Sequence, residues 1–424
     1  MNLSKKNFAD IDPVEAHRPD DVNLDVQPVD LPAGTQKDGE PDPIVVVFAA
    51  DDNVAMPLGV TICSLTINFL HGNSDYSLVI YVLDMGLSEE NRRKIKRCCQ
   101  STEDCSNRIK LSFIPINLQQ LQPERFENDL YTPAVMAKLI VPQVIPGEHT
   151  KVIYLDADLL ILGDISDLWE IDLEGFPLGA CRDSETYYYD GFRTRQYILR
   201  QTYNTPLTYR LARQRKYFNA GVLVFNDIKS LSDENFSEQL LMLVAEKAGK
   251  FHDQDALNIY FEDRVKYLPL EWNFADMHTI DGQHRMTSDY LDTIHGRHPS
   301  IIHYAWRPKP WHGYKMRYGY ETWTYYLSLT DWHSWRPPSE LFPNIEGRLV
   351  STVHTLLYFS RYSNILPEKV VDGLLYNIVR IATRMLGIGQ SSRNVYKLNA
   401  THLRHIWLEN FLRPTQTRND LINK

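Results

Sequence analysis

The 424-residue chain lacks several features that would assign it to common protein classes. It contains no uncharged apolar run of the about 18–20 residues that a membrane-spanning helix needs. Basic residues do not predominate: 45 Lys and Arg stand against 54 Asp and Glu, a net charge of −9, which argues against a nucleic-acid-binding protein. The first residues contain no apolar segment, so we expect no secretory signal and a cytoplasmic protein. The five cysteines lack zinc-site spacing, and we expect them to be reduced.

The chain has the composition of a soluble enzyme, with 43% hydrophobic and 23% charged residues. Residues 1–42 are rich in Asp, Glu and Pro and poor in aromatics. Such a segment buries too little apolar surface to offset its chain entropy, so we predict a disordered acidic tail. Ile44–Ala50 then forms a continuous apolar run, which indicates a strand covered on both faces.

Predicted strands and helices alternate from this run to about residue 316, which we treat as one catalytic domain (43–316). Strands are predicted at 44–50, 76–83, 110–115, 151–155, 265–268 and 301–303. Helices are predicted at 56–70, 88–99, 134–140, 236–247 and 253–261, the third ending before Pro142. This order predicts an α/β fold with a mostly parallel sheet and helices on both faces. In such sheets ligands bind beyond the carboxyl ends of the strands.

Residues 317–424 change character, with frequent Tyr, Trp and Arg, and they predict a mostly helical, basic C-terminal extension. Apolar residues recur at helical spacing between Val371 and Met385. Two interpretations stay open. The extension lies on an anionic membrane surface as a peripheral contact, or it forms a helical subdomain that packs on the core or in a dimer interface.

The first chemical signal is the sequence Tyr154-Leu155-Asp156-Ala157-Asp158 at the end of a predicted buried strand. Two ionised carboxylates cannot both point into an apolar core without a partner. A hard divalent cation with diphosphate oxygens supplies one. The alternative is a solvated boundary between a strand and a loop.

Two further segments carry polar groups at strand ends. Asp51 and Asn53 follow Ala49-Ala50, and their oxygens suit a base imide or ribose hydroxyl; the alternative is an Asx turn. His303 ends another strand and completes an oxygen-rich metal site that suits Mn²⁺ better than Mg²⁺. Lys309, held between prolines, suits a diphosphate. For these two residues the alternative is a surface loop.

In this order the segments resemble glycosyltransferase family 8, the retaining sugar-nucleotide transferases that include bacterial lipopolysaccharide galactosyl- and glucosyltransferases. The resemblance covers about Pro43 to Trp311. It rests on Phe48–Asn53, Ile153–Asp158, Leu178–Asp183, Tyr217–Leu223, His252–Asn258 and His303–Trp311. It implies a GT-A-type nucleotide-sugar-binding fold, a UDP-galactose or UDP-glucose donor, and Mn²⁺ with Mg²⁺ as the alternative.

The resemblance also implies roles for individual residues. The metal ligands are Asp156, Asp158 and His303. The nucleotide-sugar contacts are Ala49, Asp51, Asn53, Lys138, Asp156, Ala157, Asn219, Ala220 and Lys309. The catalytic group comprises Asp183 and Asp253, which contact donor hydroxyls, and Gln254, which lies beneath the anomeric centre.

Three residues depart from the family's pattern. Val54 stands where many members have an aromatic residue that stacks on uracil. Lys138 replaces an arginine and loses its bidentate geometry. Trp306 replaces a glycine that allows close approach to the diphosphate. These departures affect the expected phosphate contacts and donor identity.

The implied reaction transfers a hexose with retention to a saccharide or glycolipid acceptor, in lipopolysaccharide or other surface-glycan synthesis at the inner face of the plasma membrane. Gln254 is a poor nucleophile, which favours attack on the same face as departure; a covalent route through Asp253 stays open. The tyrosine- and arginine-rich segment 184–216 is either an acceptor-binding lid or an amphipathic helical pair. Alternative functions are a glycogenin-like or protein glycosyltransferase and a non-catalytic UDP-sugar-binding protein.

Overall fold

The computed structural model describes residues 41–72, 75–99, 108–117, 133–187, 196, 199–200, 202–233, 235–246, 249, 251–275, 299–305, 309–312 and 318–336. Most of the predicted acidic tail, residues 188–195 of the predicted lid and residues 337–424 of the predicted extension lie outside this part of the chain. The predictions for those segments therefore remain predictions.

A seven-stranded sheet organises the described residues. Its strands are β1 (Ile44–Ala50), β2 (Leu78–Asp84), β3 (Ile109–Pro115), β4 (Lys151–Leu155), β6 (Leu178–Arg182), β7 (Phe218–Asn226) and β8 (Val265–Tyr267). They lie in the order β3-β2-β1-β4-β7-β6-β8. The pairs β1–β2, β2–β3, β1–β4 and β6–β8 are parallel, whereas β7 runs antiparallel to both β4 and β6. The predicted α/β fold with a mostly parallel sheet is confirmed.

A second sheet has three short strands, β5 (Leu159–Ile161), β9 (Phe274–Ala275) and β10 (Ile301–His303). The central strand β10 pairs antiparallel with β5 and parallel with β9. Ile301–His303, expected as a last strand of the core, therefore belongs to this small sheet. Its apolar residues Ile301 and Ile302 are nevertheless buried.

Helices cover both faces of the large sheet. The α-helices of the described residues are α1 (Ala55–His71), α2 (Glu89–Cys98), α3 (Val141–Val144), α4 (Ile165–Trp169), α5 (Pro206–Arg213), α6 (Ile228–Asp233), α7 (Phe236–Glu246), α8 (His252–Tyr260) and α9 (Tyr320–Ser328). Short 3₁₀ segments are Pro133–Ile140, Ser184–Tyr187, Leu270–Asn273 and Pro310–His312. No helix among the residues that the structure describes is long and apolar enough to cross a membrane.

The alternation of side chains along β1 explains the two layers of helices. Val46 and Phe48 pack into one hydrophobic cluster, which includes residues of α1 and α2. Val45 and Val47 point to the opposite face and pack into a second cluster with residues of α7 and α8. Because both faces are buried, the strand reads as a continuous apolar run.

Local signals account for the ends of several elements. Ser88 accepts a hydrogen bond from Asn91 N and caps α2, as its sequence predicts. Pro142, expected to end a helix, instead lies in the first turn of α3, directly after the 3₁₀ segment Pro133–Ile140. Proline is tolerated there because the first backbone N–H groups of a helix have no partner within the helix.

Residues 318–336 pack against α1, although the sequence places them in the C-terminal extension. Trp323 and Trp332 are buried in the same cluster as α1. A Cβ atom on Gly59 of α1 would lie 2.3 Å from the Trp332 ring, so that glycine permits the contact. Asn68 donates to the Tyr326 hydroxyl at 2.8 Å. The domain boundary at 316/317 stays a prediction, and the residues just beyond it contribute to the core.

The cysteines of the described residues are buried. They are Cys63, Cys98, Cys99 and Cys181. Burial raises the pKa of the Cys63 thiol to about 12, which keeps it protonated at neutral pH.

Candidate active site

The turn Asp156-Ala157-Asp158 connects the two sheets. It leaves the end of β4 and enters β5 of the small sheet. His303 lies opposite Leu159 in the antiparallel pairing of β10 with β5, and Tyr304 N donates to Asp158 O at 3.0 Å. Strand pairing therefore brings His303 next to two acidic residues about 145 positions earlier in the sequence, as the difference in their numbers shows.

Three side chains of this turn and strand converge on one point. The Nε2 atom of His303 lies 3.3 Å from Oδ1 of Asp158 and 3.9 Å from Oδ2 of Asp156. One ligand atom from each residue lies within 4.8 Å of the others. Two carboxylates and one imidazole form a donor set that suits Mn²⁺. The cluster matches the predicted metal ligands.

The arrangement of hydrogen bonds tests whether these residues fit a cation. Oδ1 of Asp158 is buried and makes no hydrogen bond, a costly situation for a carboxylate oxygen. Nδ1 of His303 lies 2.9 Å from Oδ1 of Asn273, which leaves Nε2 directed at the two carboxylates. An electron-pair acceptor among these atoms would satisfy both groups, so the residues fit a divalent cation.

Lys309 lies on the other side of Asp158. Its Nζ donates to Asp158 Oδ2 at 2.5 Å and also to the carbonyl oxygen of Tyr304. Burial raises the pKa of the Asp158 carboxyl, but the neighbouring Lys309 ammonium and His303 together outweigh it, so the pKa is lowered. Asp158 therefore stays ionised at neutral pH, as a metal ligand must.

Lys138 is buried between two acidic residues from different elements. Its Nζ lies 3.0 Å from Oδ1 of Asp156 and 3.0 Å from Oδ2 of Asp253, and it donates to Ala220 O at 3.2 Å. Burial lowers the pKa of the lysine, but the two carboxylates outweigh burial and raise it well above its usual value. Its ammonium group thus links β4 to the start of α8.

The start of α8 lies against β6 and β7. Gln254 donates from Nε2 to Oδ2 of Asp183 at 3.0 Å, and its Oε1 accepts from Ala220 N at 2.9 Å. Asn258 donates to Gln254 O and to Phe218 O, both at 2.9 Å, which ties the helix to β7. The predicted catalytic residues Asp183, Asp253 and Gln254 therefore lie in one connected group.

Asn219 and Asn273 connect this group to the metal cluster. Oδ1 of Asn219 accepts from Gly221 N and from Nδ2 of Asn273, both at 2.9 Å. Asn273 in turn lies against His303. Asn273 and His303 are each 3% exposed, whereas Asn219 is only partly buried.

The predicted nucleotide segment lies at the same edge of the sheet. β1 pairs in parallel with β4, with Val47 opposite Tyr154, so Ala49 and Asp156 lie equally far beyond that pair. Asp51 accepts from Asn53 N at 2.9 Å and from Asn53 Nδ2 at 3.1 Å, which is the Asx turn that the sequence left as the alternative. The turn is exposed and does not exclude a nucleotide contact.

The structure describes two of the three residues that depart from the family's pattern. Val54 is the N-cap of α1 and makes no side-chain capping bond. Lys138 has the contacts given above. Trp306 lies outside the described residues, as do five tyrosines and arginines of the predicted lid, namely Tyr188, Tyr189, Arg193, Arg195 and Tyr197. Among the described residues of that segment, Leu199, Tyr203, Leu211 and Ala212 form a small hydrophobic cluster with Tyr217, which follows the segment.

Three contributors to the site were missed by the sequence reasoning. The hydroxyl of Thr61 in α1 lies 2.9 Å from Ala157 O and 2.7 Å from Leu159 O and fixes the acidic turn. A Cβ atom on Gly221 would lie 2.2 Å from the His303 ring. Asn273 contacts His303 from outside every recognised motif. Gly221 lies within a motif and offered a signal; Thr61 and Asn273 offered none.

Comparison with known proteins gives a consistent result. The family model described as glycosyl transferase family 8 matches residues 45–315. General stress protein A of Bacillus subtilis (strain 168) is 25% identical over 303 residues, covering 68% of this chain and 94% of that protein. Lipopolysaccharide 1,2-glucosyltransferase of Escherichia coli (strain K12) is 25% identical over 303 residues, covering 69% and 79%.

A solved structure is similar over a comparable share of the chain. The galactosyltransferase LgtC, in complex with donor and acceptor sugar analogs, is 26% identical with a TM-score of 0.50, and the match covers 68% of this chain and 96% of that one. The residues that the family model matches include the candidate metal cluster.

Proposed function

This chain belongs to glycosyltransferase family 8, and we propose that it is a retaining hexosyltransferase that uses a divalent cation and a UDP-hexose donor. The observation that carries the proposal is the cluster of Asp156, Asp158 and His303, in which a buried carboxylate oxygen without a hydrogen bond faces an imidazole nitrogen. The donor is UDP-galactose or UDP-glucose, and the acceptor is a saccharide of lipopolysaccharide or another surface glycan. The names of two relatives, a lipopolysaccharide glucosyltransferase and a galactosyltransferase, support this choice.

Asp156, Asp158 and His303 would hold Mn²⁺, or Mg²⁺ as the alternative. When bound, such a cation stabilises the negative charge that develops on the leaving diphosphate. Lys309 supports the same step, because its ammonium group lies beside Asp158 and would reach the diphosphate oxygens as a point charge. The proposed nucleotide contacts at the same edge of the sheet are Ala49, Asp51, Asn53 and Ala157.

We assign the donor hexose to the group formed by Asp183, Asn219, Ala220, Asp253 and Gln254. Gln254 has its amide nitrogen on Asp183 and its amide oxygen on Ala220 N, which fixes its orientation. A carboxamide is a poor nucleophile, so attack from the face of the departing diphosphate is the mechanism that these residues favour. The departing phosphate oxygen takes the proton of the attacking acceptor hydroxyl.

The buried contacts of Lys138 favour a supporting role over direct phosphate binding. Its ammonium group has three acceptors within 3.2 Å, namely Asp156, Asp253 and Ala220 O. A lysine has three N–H donors, and the protein already supplies an acceptor for each. Lys138 thereby positions a metal ligand and a sugar-binding carboxylate together.

A screen of UDP release tests the proposal. Purified protein is incubated with UDP-glucose, UDP-galactose and other sugar nucleotides, with Mn²⁺, with Mg²⁺ and with a chelator. We expect release with one UDP-hexose, dependent on the cation, and its loss in Asp158→Asn. The matched control is Asp263→Asn, which removes an exposed carboxylate paired with Lys216 and should leave turnover unchanged.

Two results would contradict the proposal. Turnover that persists in Asp158→Asn, or that is indifferent to the chelator, would remove the cation from the mechanism. Binding of UDP with Mn²⁺ but no hydrolysis or transfer with any donor would favour a non-catalytic sugar-nucleotide-binding protein. A product on a polypeptide hydroxyl would instead indicate a protein glycosyltransferase.

A further inference from the structure

A chain of hydrogen bonds runs from the backbone of β7 to the metal cluster. Gly221 N donates to Asn219 Oδ1 at 2.9 Å, Asn273 Nδ2 donates to the same oxygen at 2.9 Å, and Asn273 Oδ1 lies 2.9 Å from His303 Nδ1. His303 Nε2 then lies 3.3 Å from Asp158 Oδ1. We call the four residues Gly221, Asn219, Asn273 and His303 the amide relay.

The backbone group at the start of the amide relay determines the direction of every later bond. A peptide N–H is always a donor, so the atom of Asn219 that faces Gly221 N must be the carbonyl oxygen. The atom of Asn273 that faces this oxygen must then be its NH₂ group. The other end of Asn273 is therefore a carbonyl oxygen, and it requires a proton on His303 Nδ1.

This order of donors and acceptors leaves one free lone pair on His303. In a neutral imidazole with Nδ1 protonated, Nε2 has a lone pair and no proton. That lone pair points at the carboxylates of Asp156 and Asp158. A side chain with this tautomer and orientation is ready to bind a cation.

We infer that Asn273 is a positioning residue, which acts through the amide relay to hold His303 in the Nδ1-protonated tautomer with Nε2 as a metal ligand. This inference rests on the proposed function, since it assumes a cation at the cluster. It also defines what Asn219 offers to a ligand. Both lone pairs of its oxygen are used, so Asn219 presents its NH₂ group, and a sugar hydroxyl there accepts a hydrogen bond.

Within the amide relay, Asn273 differs from an ordinary hydrogen-bond partner of a metal-binding histidine in one testable respect. An ordinary partner needs only to accept from Nδ1–H, and a carboxylate does so well. In the amide relay Asn273 must also donate to Asn219. An aspartate at position 273 accepts from His303 but faces the Asn219 oxygen with no proton to donate.

Two variants with the same chemical change separate these cases. Asn273→Asp breaks the amide relay at its middle. Asn219→Asp preserves it, because a carboxylate at position 219 accepts from both Gly221 N and Asn273 Nδ2. Each variant adds one negative charge close to the cluster, so the pair controls for electrostatic attraction of the cation.

The experiment titrates Mn²⁺ into the purified 424-residue chain in the presence of UDP and follows free Mn²⁺ by electron paramagnetic resonance. We expect Asn273→Asp to bind Mn²⁺ about 10- to 100-fold more weakly than the wild type, because repulsion between the new carboxylate and the Asn219 oxygen moves the carboxylate away from His303 Nδ1, and loss of support for a metal ligand has an effect of this size. We expect Asn219→Asp to keep wild-type Mn²⁺ affinity. Its hexose transfer falls, because it loses the NH₂ group that faces the sugar.

Equal Mn²⁺ affinity in the two variants, whether retained or lost, would overturn the inference. If Asn273→Asp shows no cooperative thermal unfolding, Asn273→Ala takes its place, and wild-type Mn²⁺ affinity in that variant would overturn the inference as well. Failure of the proposed function gives a different result. In that case the wild-type protein itself shows no UDP-dependent binding of Mn²⁺.

Discussion

Gly221 lies directly against the imidazole ring of His303. A Cβ atom built on Gly221 would lie 2.2 Å from Cε1 and 2.7 Å from Nδ1 of that ring. At these distances there is no space for a methyl group between the backbone of Gly221 and the imidazole ring. The ring is itself buried. The absence of a side chain at position 221 thus sets the position of a proposed metal ligand.

Gly221→Ala is therefore expected to displace His303 and to weaken Mn²⁺ binding about 10-fold or more, in the range found when a metal ligand loses its support. Overpacking of the core is expected to cost about 1–3 kcal/mol of unfolding free energy. Isothermal titration with Mn²⁺ and UDP measures the first effect, and urea unfolding measures the second.

The control is Gly147→Ala, because a Cβ atom at Gly147 would have no heavy atom within 4 Å. This variant is expected to keep Mn²⁺ affinity and stability. Wild-type Mn²⁺ affinity in Gly221→Ala would show that the ring moves without consequence for the cluster.

The buried ammonium group of Lys138 leads to a second prediction. Lys138→Met leaves the carboxylates of Asp156 and Asp253 without their shared partner. Removal of one partner from a buried ion pair costs about 3–5 kcal/mol, because the remaining charge stays desolvated. Urea unfolding measures this loss of stability.

An exposed lysine provides the comparison for Lys138. Lys216 pairs with Asp263 at 2.6 Å, and its side chain is 45% exposed. Lys216→Met is expected to change the free energy of unfolding by at most about 1 kcal/mol. Similar losses in the two methionine variants would contradict the importance of burial at position 138.

The third prediction concerns Thr61, whose hydroxyl lies within hydrogen-bond distance of the carbonyl oxygens of Ala157 and Leu159. Thr61→Val keeps the shape of the side chain and removes the hydroxyl. We expect it to cost about 1 kcal/mol of unfolding free energy and to weaken Mn²⁺ binding, because the turn that carries both aspartates loses its tether to α1.

Thr66→Val separates the two effects of this substitution. Thr66 is buried on the same helix, and its hydroxyl contacts Cys98 O at 3.2 Å, away from the acidic turn. The Thr66→Val variant is expected to lose about as much unfolding free energy as Thr61→Val and to keep the wild-type Mn²⁺ affinity. An equal loss of Mn²⁺ affinity in both variants would attribute the effect to stability alone.

The fold could be predicted from the sequence because its main signals are local. The apolar run of β1 and the order of strands and helices predicted an α/β sheet, which is confirmed. The sequence marks Asp156, Asp158 and His303 because each follows or ends an apolar strand. They lie together because β10 pairs antiparallel with β5, which brings the end of β10 beside the acidic turn that precedes β5. Their roles remain predictions.

Other features depend on contacts that no local pattern contains. Asn273 contacts His303 only because β9 pairs with β10, and Thr61 contacts Ala157 across 96 positions of sequence. Their residue types are common in structural positions of any protein. Pro142 misled the helix prediction because its position in the first turn of a new helix becomes evident only when the preceding 3₁₀ segment is known.

The packing of residues 318–336 leads to the last prediction, which bears on where the catalytic domain ends. Trp323 of α9 is 1% exposed and belongs to the hydrophobic cluster that includes α1. Trp323→Ala is expected to cost about 3–5 kcal/mol of unfolding free energy. Leu329→Ala, at a position 48% exposed beside the same helix, is expected to stay within about 0.5 kcal/mol of the wild type.

A single urea transition shifted to lower concentration in Trp323→Ala would place this segment in the cooperative unit of the catalytic domain. Two separate transitions would instead support a boundary near residue 316, because a segment that unfolds independently contributes little to the stability of the sheet.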